Sequence, residues 1–180
     1  MSKKVAVITG YAGFIGSTFT RRLLEKGYYV YCIDKFSYVS DTIQADRNHH
    51  DYHGKMQWIN ADICEIDWLP ECDVIFNLAA ESDVDISTQD SAKFVRTNID
   101  GVRNLLNIVN DRILIRADKP LFFQVSTDEV YGDIHDGSFD ESASLNPSNP
   151  YAATKAAADL LLQSWARTYE LEYIIARPSN

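Results

Sequence analysis

One short segment combines side chains suited to proton transfer. Residues 126–132 read Ser-Thr-Asp-Glu-Val-Tyr-Gly, so the hydroxyl of Thr127 stands beside the carboxylates of Asp128 and Glu129, directly after an apolar run. A hydroxyl next to two carboxylates can supply a hydrogen-bond donor, an acid and a base for chemistry on a substrate. The alternative is that Asp128 and Glu129 are solvated turn residues.

A second pair follows 24 residues after Thr127. Tyr151 and Lys155 lie four residues apart, so on a helix the phenol and the ammonium share one face. A nearby ammonium favours the phenolate and lowers the pKa of a tyrosine, which lets Tyr151 accept a proton from a substrate hydroxyl. Many such pairs are surface residues, and the surrounding sequence is what favours catalysis.

A glycine-rich turn near the N-terminus indicates a cofactor. Gly10, Gly13 and Gly16 follow an apolar run in a Gly-x-x-Gly-x-x-Gly pattern and precede a helical pattern. Such a turn lets the backbone approach a pyrophosphate at the positive end of the helix. Asp34 comes 18 residues after Gly16, where a carboxylate binds the adenosine ribose and repels a 2′-phosphate. We therefore expect NAD rather than NADP, although Lys35 beside it weakens that preference. Asp62 is either near the adenine or a helix cap.

These residues must be positioned by alternating strands and helices. We expect continuous apolar strands, buried on both faces of a sheet, at Val5 to Thr9, Tyr28 to Ile33, Met56 to Ile59, Val74 to Leu78, Leu121 to Ser126 and Tyr173 to Ala176. The main helices are expected at Phe14 to Lys26, Ala92 to Arg116 and Tyr151 to Tyr169, the last capped by Asn149 and Pro150. The polar segment Tyr38 to Gly54 reads as a loop or a short helix. This alternation predicts an α/β fold, a doubly wound, Rossmann-like parallel sheet with strand order 3-2-1-4-5-6.

The overall composition is that of a globular protein. Of 180 residues, 46% are hydrophobic and 24% charged, and the net charge of −9 argues against general binding to nucleic acid or anionic membranes. The three cysteines lack metal-ligand spacing and indicate reduced thiols in a cytoplasmic protein. His49, His50 and His53 lack accompanying ligands, so we predict no metal site. We find neither a signal peptide nor a membrane span.

Taken together, the sequence resembles the extended short-chain dehydrogenase/reductase family and, within it, the nucleotide-sugar 4,6-dehydratases typified by dTDP-glucose 4,6-dehydratase. The resemblance runs from Val5 to Asn180 and is carried by the segments Asp34-Lys35, Asn77 to Ser82, Thr97-Asn98, Ser126 to Gly132 and Tyr151 to Lys155. The Thr-Asp-Glu triplet is its most specific element, because epimerases of the superfamily lack the acidic pair.

The resemblance implies a reaction and a set of site residues. Tyr151 and Thr127 would act at the sugar C4 hydroxyl during its oxidation, Glu129 would remove the C5 proton, and Asp128 would protonate the departing C6 hydroxyl. Lys155 completes the catalytic set. The implied cofactor-binding residues are Gly10, Gly13, Phe14, Ile15, Gly16, Asp34, Lys35, Asp62, Ile63, Leu78, Ala79, Ala80, Tyr151 and Lys155. The implied substrate-binding residues are Ser82, Thr127, Asp128, Glu129 and Asn180. The alternatives are a nucleotide-sugar 4-epimerase of the same superfamily and an inactive NAD-binding fragment.

The sequence departs from the family pattern at several positions. Tyr11 stands where glycine is usual, which is tolerable if its side chain points outward, and Asp83 and Ile86 stand where histidine and arginine are common. The chain ends soon after a core strand, so we expect residues 1–180 to form one NAD-binding, catalytic domain from which a C-terminal nucleotide-sugar-binding region is absent. The family also implies a homodimer, for which Ala152, Ala153, Ala156 and Ala157 offer a small-residue helix face; packing on the sheet is the alternative.

Overall fold

Six parallel strands form the single sheet of the structure, a computed structural model that describes residues 4–37, 40–116 and 119–179. Their order is β3-β2-β1-β4-β5-β6, and each neighbouring pair is parallel. This order confirms the predicted doubly wound fold. The strands are β1 (Val5–Thr9), β2 (Tyr29–Asp34), β3 (Met56–Asn60), β4 (Val74–Asn77), β5 (Leu121–Val125) and β6 (Tyr173–Ala176).

Helices connect the strands and cover both faces of the sheet. They are α1 (Phe14–Glu25), α2 (Thr42–Asp51), α3 (Val84–Gln89), α4 (Ala92–Phe94), a π-helical segment (Val95–Gly101), α5 (Val102–Arg116), a 3₁₀ turn (Asp128–Tyr131) and α6 (Pro150–Tyr169). None of the helices in the described residues is long and apolar enough to cross a membrane.

Alternate strand residues face opposite layers of the core. In β1, Ala6 and Ile8 pack with the α1 side chains Leu23 and Leu24, whereas Val7 belongs to the cluster formed with α5 and α6. Successive side chains of a strand point to opposite faces, so a sheet covered on both sides requires apolar residues at every position. This requirement explains why the strands appear in the sequence as largely apolar runs.

The start of α6 is determined locally, as predicted. The side chain of Asn149 accepts a hydrogen bond from the Ala152 backbone N–H at 2.8 Å, and Pro150 occupies the first helical position. Glu170 ends the helix in a left-handed conformation with φ of 56°. These signals place Tyr151 in the first turn of α6, close to the ends of the strands.

The predicted long helix over residues 92–116 is interrupted. Its residues are helical, but Val95–Gly101 forms a π-helical segment between α4 and α5. The wider turn directs Asn98 into the interior, where its side-chain amide bonds the Glu81 backbone and the Thr154 hydroxyl. Apolar periodicity identifies the region as helical but does not distinguish i→i+5 from i→i+4 hydrogen bonding over one or two turns.

The polar segment after β2 contains a helix rather than only a loop. Asp41 caps α2 by accepting a hydrogen bond from the Gln44 backbone N–H at 2.9 Å. Tyr38, at which the predicted loop begins, lies outside the described residues. The ring of His49 on α2 packs against Trp58, with centroids 4.7 Å apart. Across the described ranges, no group of three or more His, Cys, Asp or Glu side chains is arranged to hold a metal ion.

Candidate active site

The candidate site lies at the carboxyl ends of the central strands, where ligands bind in doubly wound sheets. The cleft has two compartments that share Gly10, Gly13, Leu78 and Ala80. The first compartment contains the predicted residues Gly10, Gly13, Asp34, Lys35, Asp62, Ile63, Leu78, Ala79 and Ala80. The second adds Phe14, Ile15, Gly16, Ser82, Thr127, Glu129, Tyr151 and Lys155. The fold therefore assembles in one cleft nearly all the residues that the sequence nominated.

Two predicted residues are not in these compartments. Asp128 lines a neighbouring cleft that also contains Glu129, Tyr131 and Arg177. Asn180, nominated as a substrate-binding residue, lies outside the described residues.

The glycine turn leaves no room for side chains on its inner surface. Gly10 has φ of 70°, and a Cβ there would approach the Ala79 backbone nitrogen to 2.7 Å. A Cβ on Gly16 would overlap the Gly10 carbonyl oxygen. Because Gly13 is the N-cap of α1, no side chain caps the first N–H groups of that helix. These donors and the helix dipole make the turn suitable for a diphosphate.

Asp34 is held by the backbone on both sides of the first compartment. One carboxylate oxygen accepts a hydrogen bond from the Ala12 N–H at 3.0 Å, and the other accepts one from the Phe36 N–H at 2.8 Å. A carboxylate oxygen accepts more than one hydrogen bond, so Asp34 retains capacity for ribose hydroxyls. The position agrees with the predicted role at the end of β2.

The first compartment also carries a charged bridge. The Lys35 ammonium donates to Glu81 at 3.2 Å and to the Thr97 hydroxyl at 3.4 Å. Asp62 accepts from the Cys64 N–H at 2.9 Å, so it caps its own turn while it lines the compartment. Burial opposes ionisation of Asp62, but the bonds from Cys64 and the charges of Lys35 and Arg96 keep its pKa below the ordinary value.

Tyr11 points inward, so the outward orientation that would make it tolerable in place of glycine is not the one adopted. The residue is fully buried, and its ring lies 5.8 Å from that of Phe36 and 6.1 Å from that of Trp58. The Tyr11 hydroxyl has no hydrogen-bond partner within the described part of the chain. Burial of a large apolar ring outweighs the cost of desolvating one hydroxyl, which explains the inward orientation.

The acidic triplet begins a 3₁₀ turn after β5. Thr127 is buried and acts as the N-cap, and its hydroxyl accepts from the Glu129 N–H at 3.3 Å. The same hydroxyl donates to Asp128 at 3.3 Å, and the Asn149 amide donates to Glu129 at 2.9 Å. Both carboxylates are half-buried and anchored. They are therefore not the solvated turn residues of the alternative interpretation.

Tyr151 and Lys155 lie on one buried face of α6, but the pKa of Tyr151 is raised in the structure and not lowered as the sequence predicts. Burial and the charge of Glu129 raise the pKa of Tyr151, an effect that the Thr127 hydroxyl opposes. The Lys155 ammonium is instead held by the Val125 carbonyl, to which it donates at 2.6 Å. Burial lowers the pKa of Lys155 to about 8, against the opposing charge of Asp159.

The Asp83 departure has a local structural explanation. Its side chain caps α3 by accepting from the Ile86 N–H at 2.9 Å, while the adjacent Ser82 lines the second compartment. On α3, the Ser87 hydroxyl accepts a hydrogen bond from the Tyr151 N–H at 3.2 Å, whereas the Thr88 hydroxyl donates to the Asp85 carbonyl of its own helix. The short helix α3 therefore supports the first turn of α6.

Sequence reasoning missed a group of buried polar residues behind the site. Asp159, which is fully buried, accepts from the Ser126 hydroxyl at 3.0 Å and from the Arg177 guanidinium at 2.9 Å. The one available signal was spacing, because Asp159 follows Lys155 by one further helical turn. Asn98 was noticed only through the family pattern, and its three hydrogen bonds depend on the π-helical segment.

Comparison with known proteins agrees with this geometry. The family model described as GDP-mannose 4,6 dehydratase matches residues 7–180. The low-salt glycan biosynthesis protein Agl12 of Haloferax volcanii is 41% identical over 181 residues, which cover 97% of this chain and 56% of that protein. This chain therefore spans about half the length of the curated relatives it matches.

Solved structures of two activities share the fold. DesIV, a dTDP-glucose 4,6-dehydratase from Streptomyces venezuelae solved with NAD and TYD bound, superimposes with a TM-score of 0.87 and 36% identity, covering 96% of this chain and 55% of that chain. A UDP-N-acetylglucosamine 4-epimerase from Methanobrevibacter ruminantium, in complex with UDP-N-acetylmuramic acid, has a TM-score of 0.86 and 29% identity, covering 98% and 55%.

Proposed function

Because this chain belongs to the family described as GDP-mannose 4,6 dehydratase, we propose that it is the cofactor-binding and catalytic portion of an NAD-dependent nucleotide-sugar 4,6-dehydratase similar to dTDP-glucose 4,6-dehydratase. The observation that carries the proposal is the meeting of Thr127, Glu129, Tyr151 and Lys155 with the glycine turn in one compartment. A phenol, a hydroxyl, a carboxylate and an ammonium beside a dinucleotide cradle suit oxidation coupled to elimination.

The residues of the first compartment fit NAD. Gly10 lies against the Ala79 backbone and Gly16, from the second compartment, lies against the Gly10 carbonyl, so the turn is tight only without a Cβ at either position; the N-terminus of α1 beside it has no side-chain cap. Asp34 suits the free hydroxyls of an adenosine ribose and disfavours a 2′-phosphate. When bound, NAD would supply hydride acceptance at C4 and hydride return at C6. The three dehydratase structures with NAD bound support this assignment.

The chain's own residues would handle the protons of the first step. Tyr151 holds its proton in the structure because burial and Glu129 disfavour the phenolate. Tyr151 would release this proton to solvent before the step, and as the phenolate it would take the proton of the C4 hydroxyl while Thr127 bonds the same oxygen. Lys155 would stabilise the phenolate before it accepts that proton, and would hydrogen-bond the ribose of a bound cofactor.

The acidic pair performs the elimination. Once C4 is a ketone, the C5 proton is acidic, and Glu129 removes it while Asp128 protonates the departing C6 hydroxyl. The Asn149 amide fixes the Glu129 carboxylate at 2.9 Å, and the Thr127 hydroxyl fixes that of Asp128 at 3.3 Å. Two anchored carboxylates, consecutive in the chain but held by different partners, support the division into base and acid.

The second candidate is a nucleotide-sugar 4-epimerase, which the 4-epimerase structure with a TM-score of 0.86 favours. Both reactions begin with oxidation at C4, so the glycine turn, Tyr151 and Lys155 serve either. Only elimination requires an acid and a base at C5 and C6, and the Asp128–Glu129 pair therefore favours the dehydratase. A third possibility is an NAD-binding fragment without activity.

The test is product analysis with matched variants. The chain is incubated with NAD and dTDP-glucose, then with NAD and UDP-N-acetylglucosamine, and the sugars are identified by NMR. The dehydratase produces a 4-keto-6-deoxy sugar, and Glu129→Gln lowers its formation by about 100-fold or more. Glu25→Gln, an exposed α1 substitution remote from the cleft, serves as the control. A C4 epimer as the product would refute the dehydratase, whereas NAD binding without product would leave an inactive fragment.

The proposal extends to organisation and location. In this proposal residues 1–180 form the cofactor domain, and the nucleotide-sugar is bound largely by a separate region, consistent with relatives of about twice this length. Ala152 and Ala156 are buried within the chain, but Ala153 is exposed and Leu160 is 55% exposed. A homodimer would therefore use the face of α6 that carries Ala153 and Leu160.

The location that we propose is the cytoplasm. The free thiols of Cys32, Cys64 and Cys72 are consistent with its reducing conditions.

A further inference from the structure

Four residues form a continuous polar network beneath the acidic turn; we call Ser126, Tyr131, Asp159 and Arg177 the Asp159 network. Asp159 accepts from Ser126 at 3.0 Å and from the Arg177 Nε at 2.9 Å. Arg177 also donates to the Tyr131 hydroxyl at 2.6 Å, and its guanidinium lies 5.0 Å from the centroid of that ring. Ser126 directly precedes the catalytic turn and Tyr131 ends it, so the network brackets the turn on both sides.

Backbone contacts join the same elements. The Ser126 N–H donates to the Ala176 carbonyl at 2.7 Å, and the Asp128 N–H donates to the Pro178 carbonyl at 3.2 Å. The carboxyl ends of β5 and β6 are therefore tied to each other, and Asp159 ties both to α6. A displacement of Asp159 would be transmitted to the residues that flank Thr127 and Glu129.

One carboxylate oxygen of Asp159 has no hydrogen bond within the described ranges. The residue is fully buried, and both of its hydrogen bonds go to the other oxygen. On α6 it follows Lys155 by four residues, on the same buried face, and Lys155 is itself only 4% exposed. Opposite charges that are buried one helical turn apart favour each other's ionised forms, because little solvent screens them, and Asp159 raises the pKa of Lys155 against the effect of burial.

We propose that Asp159 is a positioning residue of the active site: it holds the catalytic turn through Ser126 and Arg177, and its charge keeps the Lys155 side chain in the ammonium form. The inference rests on the proposed function, because the role of the ammonium is to stabilise the Tyr151 phenolate. Without the carboxylate, burial alone would favour neutral Lys155 at a lower pH.

The other charged groups around Lys155 do not replace Asp159. Tyr151 and Glu129 line the compartment in front of the lysine, where Glu129 is bound by Asn149. Arg177 lies behind it and is paired to Asp159. The glycine turn and α3 contribute to this compartment only uncharged residues among those that the structure describes. Asp159 is thus the carboxylate that lies on the same buried face of α6 as Lys155.

The experiment is a titration of Lys155 in the 180-residue chain, followed by NMR of ¹³C-labelled lysine and assigned with Lys155→Met. Burial and Asp159 together set the pKa of Lys155 at about 8. Asp159→Asn should lower the midpoint by about one pH unit, the usual effect of removing a close opposite charge. Asp159→Glu should restore it, and Glu170→Gln, at the exposed end of α6, should leave it unchanged. A purely structural role for Asp159 would lower the melting temperature without moving this midpoint.

A second measurement needs no variant and remains available if Asp159→Asn does not fold. The Asp159 carboxyl carbon of the unmodified chain should report a transition with the Lys155 midpoint, because coupled groups sense each other's ionisation. An unchanged Lys155 midpoint in Asp159→Asn, or an Asp159 signal that ignores the lysine, would overturn the inference. A shifted midpoint in a chain that forms no product would support the charge pairing and count against the proposed function instead.

Discussion

Replacing Asn98 by alanine should destabilise the chain well beyond an ordinary helix substitution. Asn98 is 1% exposed, and its amide group makes three hydrogen bonds of 2.9 Å. Two of them satisfy the N–H and the carbonyl of Glu81, and the third reaches the hydroxyl of Thr154. Alanine removes all three and leaves these buried groups without their partners.

The expected loss follows from that count. Each hydrogen bond contributes about 1 kcal/mol net, so Asn98→Ala should lower the free energy of unfolding by about 3 kcal/mol. The better helix propensity of alanine would return only about 0.5 kcal/mol. Thr154 also donates to the Tyr151 carbonyl at 2.7 Å, and Glu81 binds Lys35, so NAD affinity should fall as well.

Urea denaturation followed by circular dichroism measures the loss. The matched control is Asp100→Ala, two positions later in the same π-helical segment, where the side chain is exposed and pairs only loosely with Arg103 at 3.7 Å. Its effect should remain within about 0.5 kcal/mol. A loss below about 1 kcal/mol for Asn98→Ala, or equal losses for both variants, would refute the reasoning from buried hydrogen bonds.

Three further substitutions test the glycine turn. Tyr11→Phe removes a buried hydroxyl without a partner and keeps the ring, so the unfolding free energy should rise by about 1 kcal/mol in the same denaturation assay; a decrease would show that the hydroxyl is bonded in solution. Gly16→Ala introduces a Cβ against the Gly10 carbonyl, so it should lower the free energy of unfolding by about 3 kcal/mol and abolish NAD binding detectable by calorimetry. The Cβ of Gly13→Ala meets the same oxygen at 3.3 Å, so this variant should lose less stability. Equal losses at Gly13 and Gly16 would contradict the cradle geometry.

The sequence was sufficient for the fold and for most of the candidate cleft. Parallel strands covered on both faces need apolar side chains at every position, so β1 to β6 stand out as continuous runs whose order follows from connection rules. The glycine turn, Asp34 and the Tyr151–Lys155 pair are local patterns, each defined within one turn, strand end or helix. Because the carboxyl ends of parallel strands lie at the same edge of the sheet, the residues of these local patterns necessarily come together there.

Tertiary contacts decided the features that depend on residues distant in the chain. The inward direction of Tyr11 comes from the rings of Phe36 and Trp58, and the raised pKa of Tyr151 comes from burial and Glu129. The π-helical segment is stabilised by the hydrogen bond that Asn98 donates to the Thr154 hydroxyl on α6. Asp159 appears in the sequence as one more helical residue, and only the folded chain removes its carboxylate from water and places Arg177 against it. Burial and long-range pairing set the electrostatics of a site, and neither is encoded in local spacing.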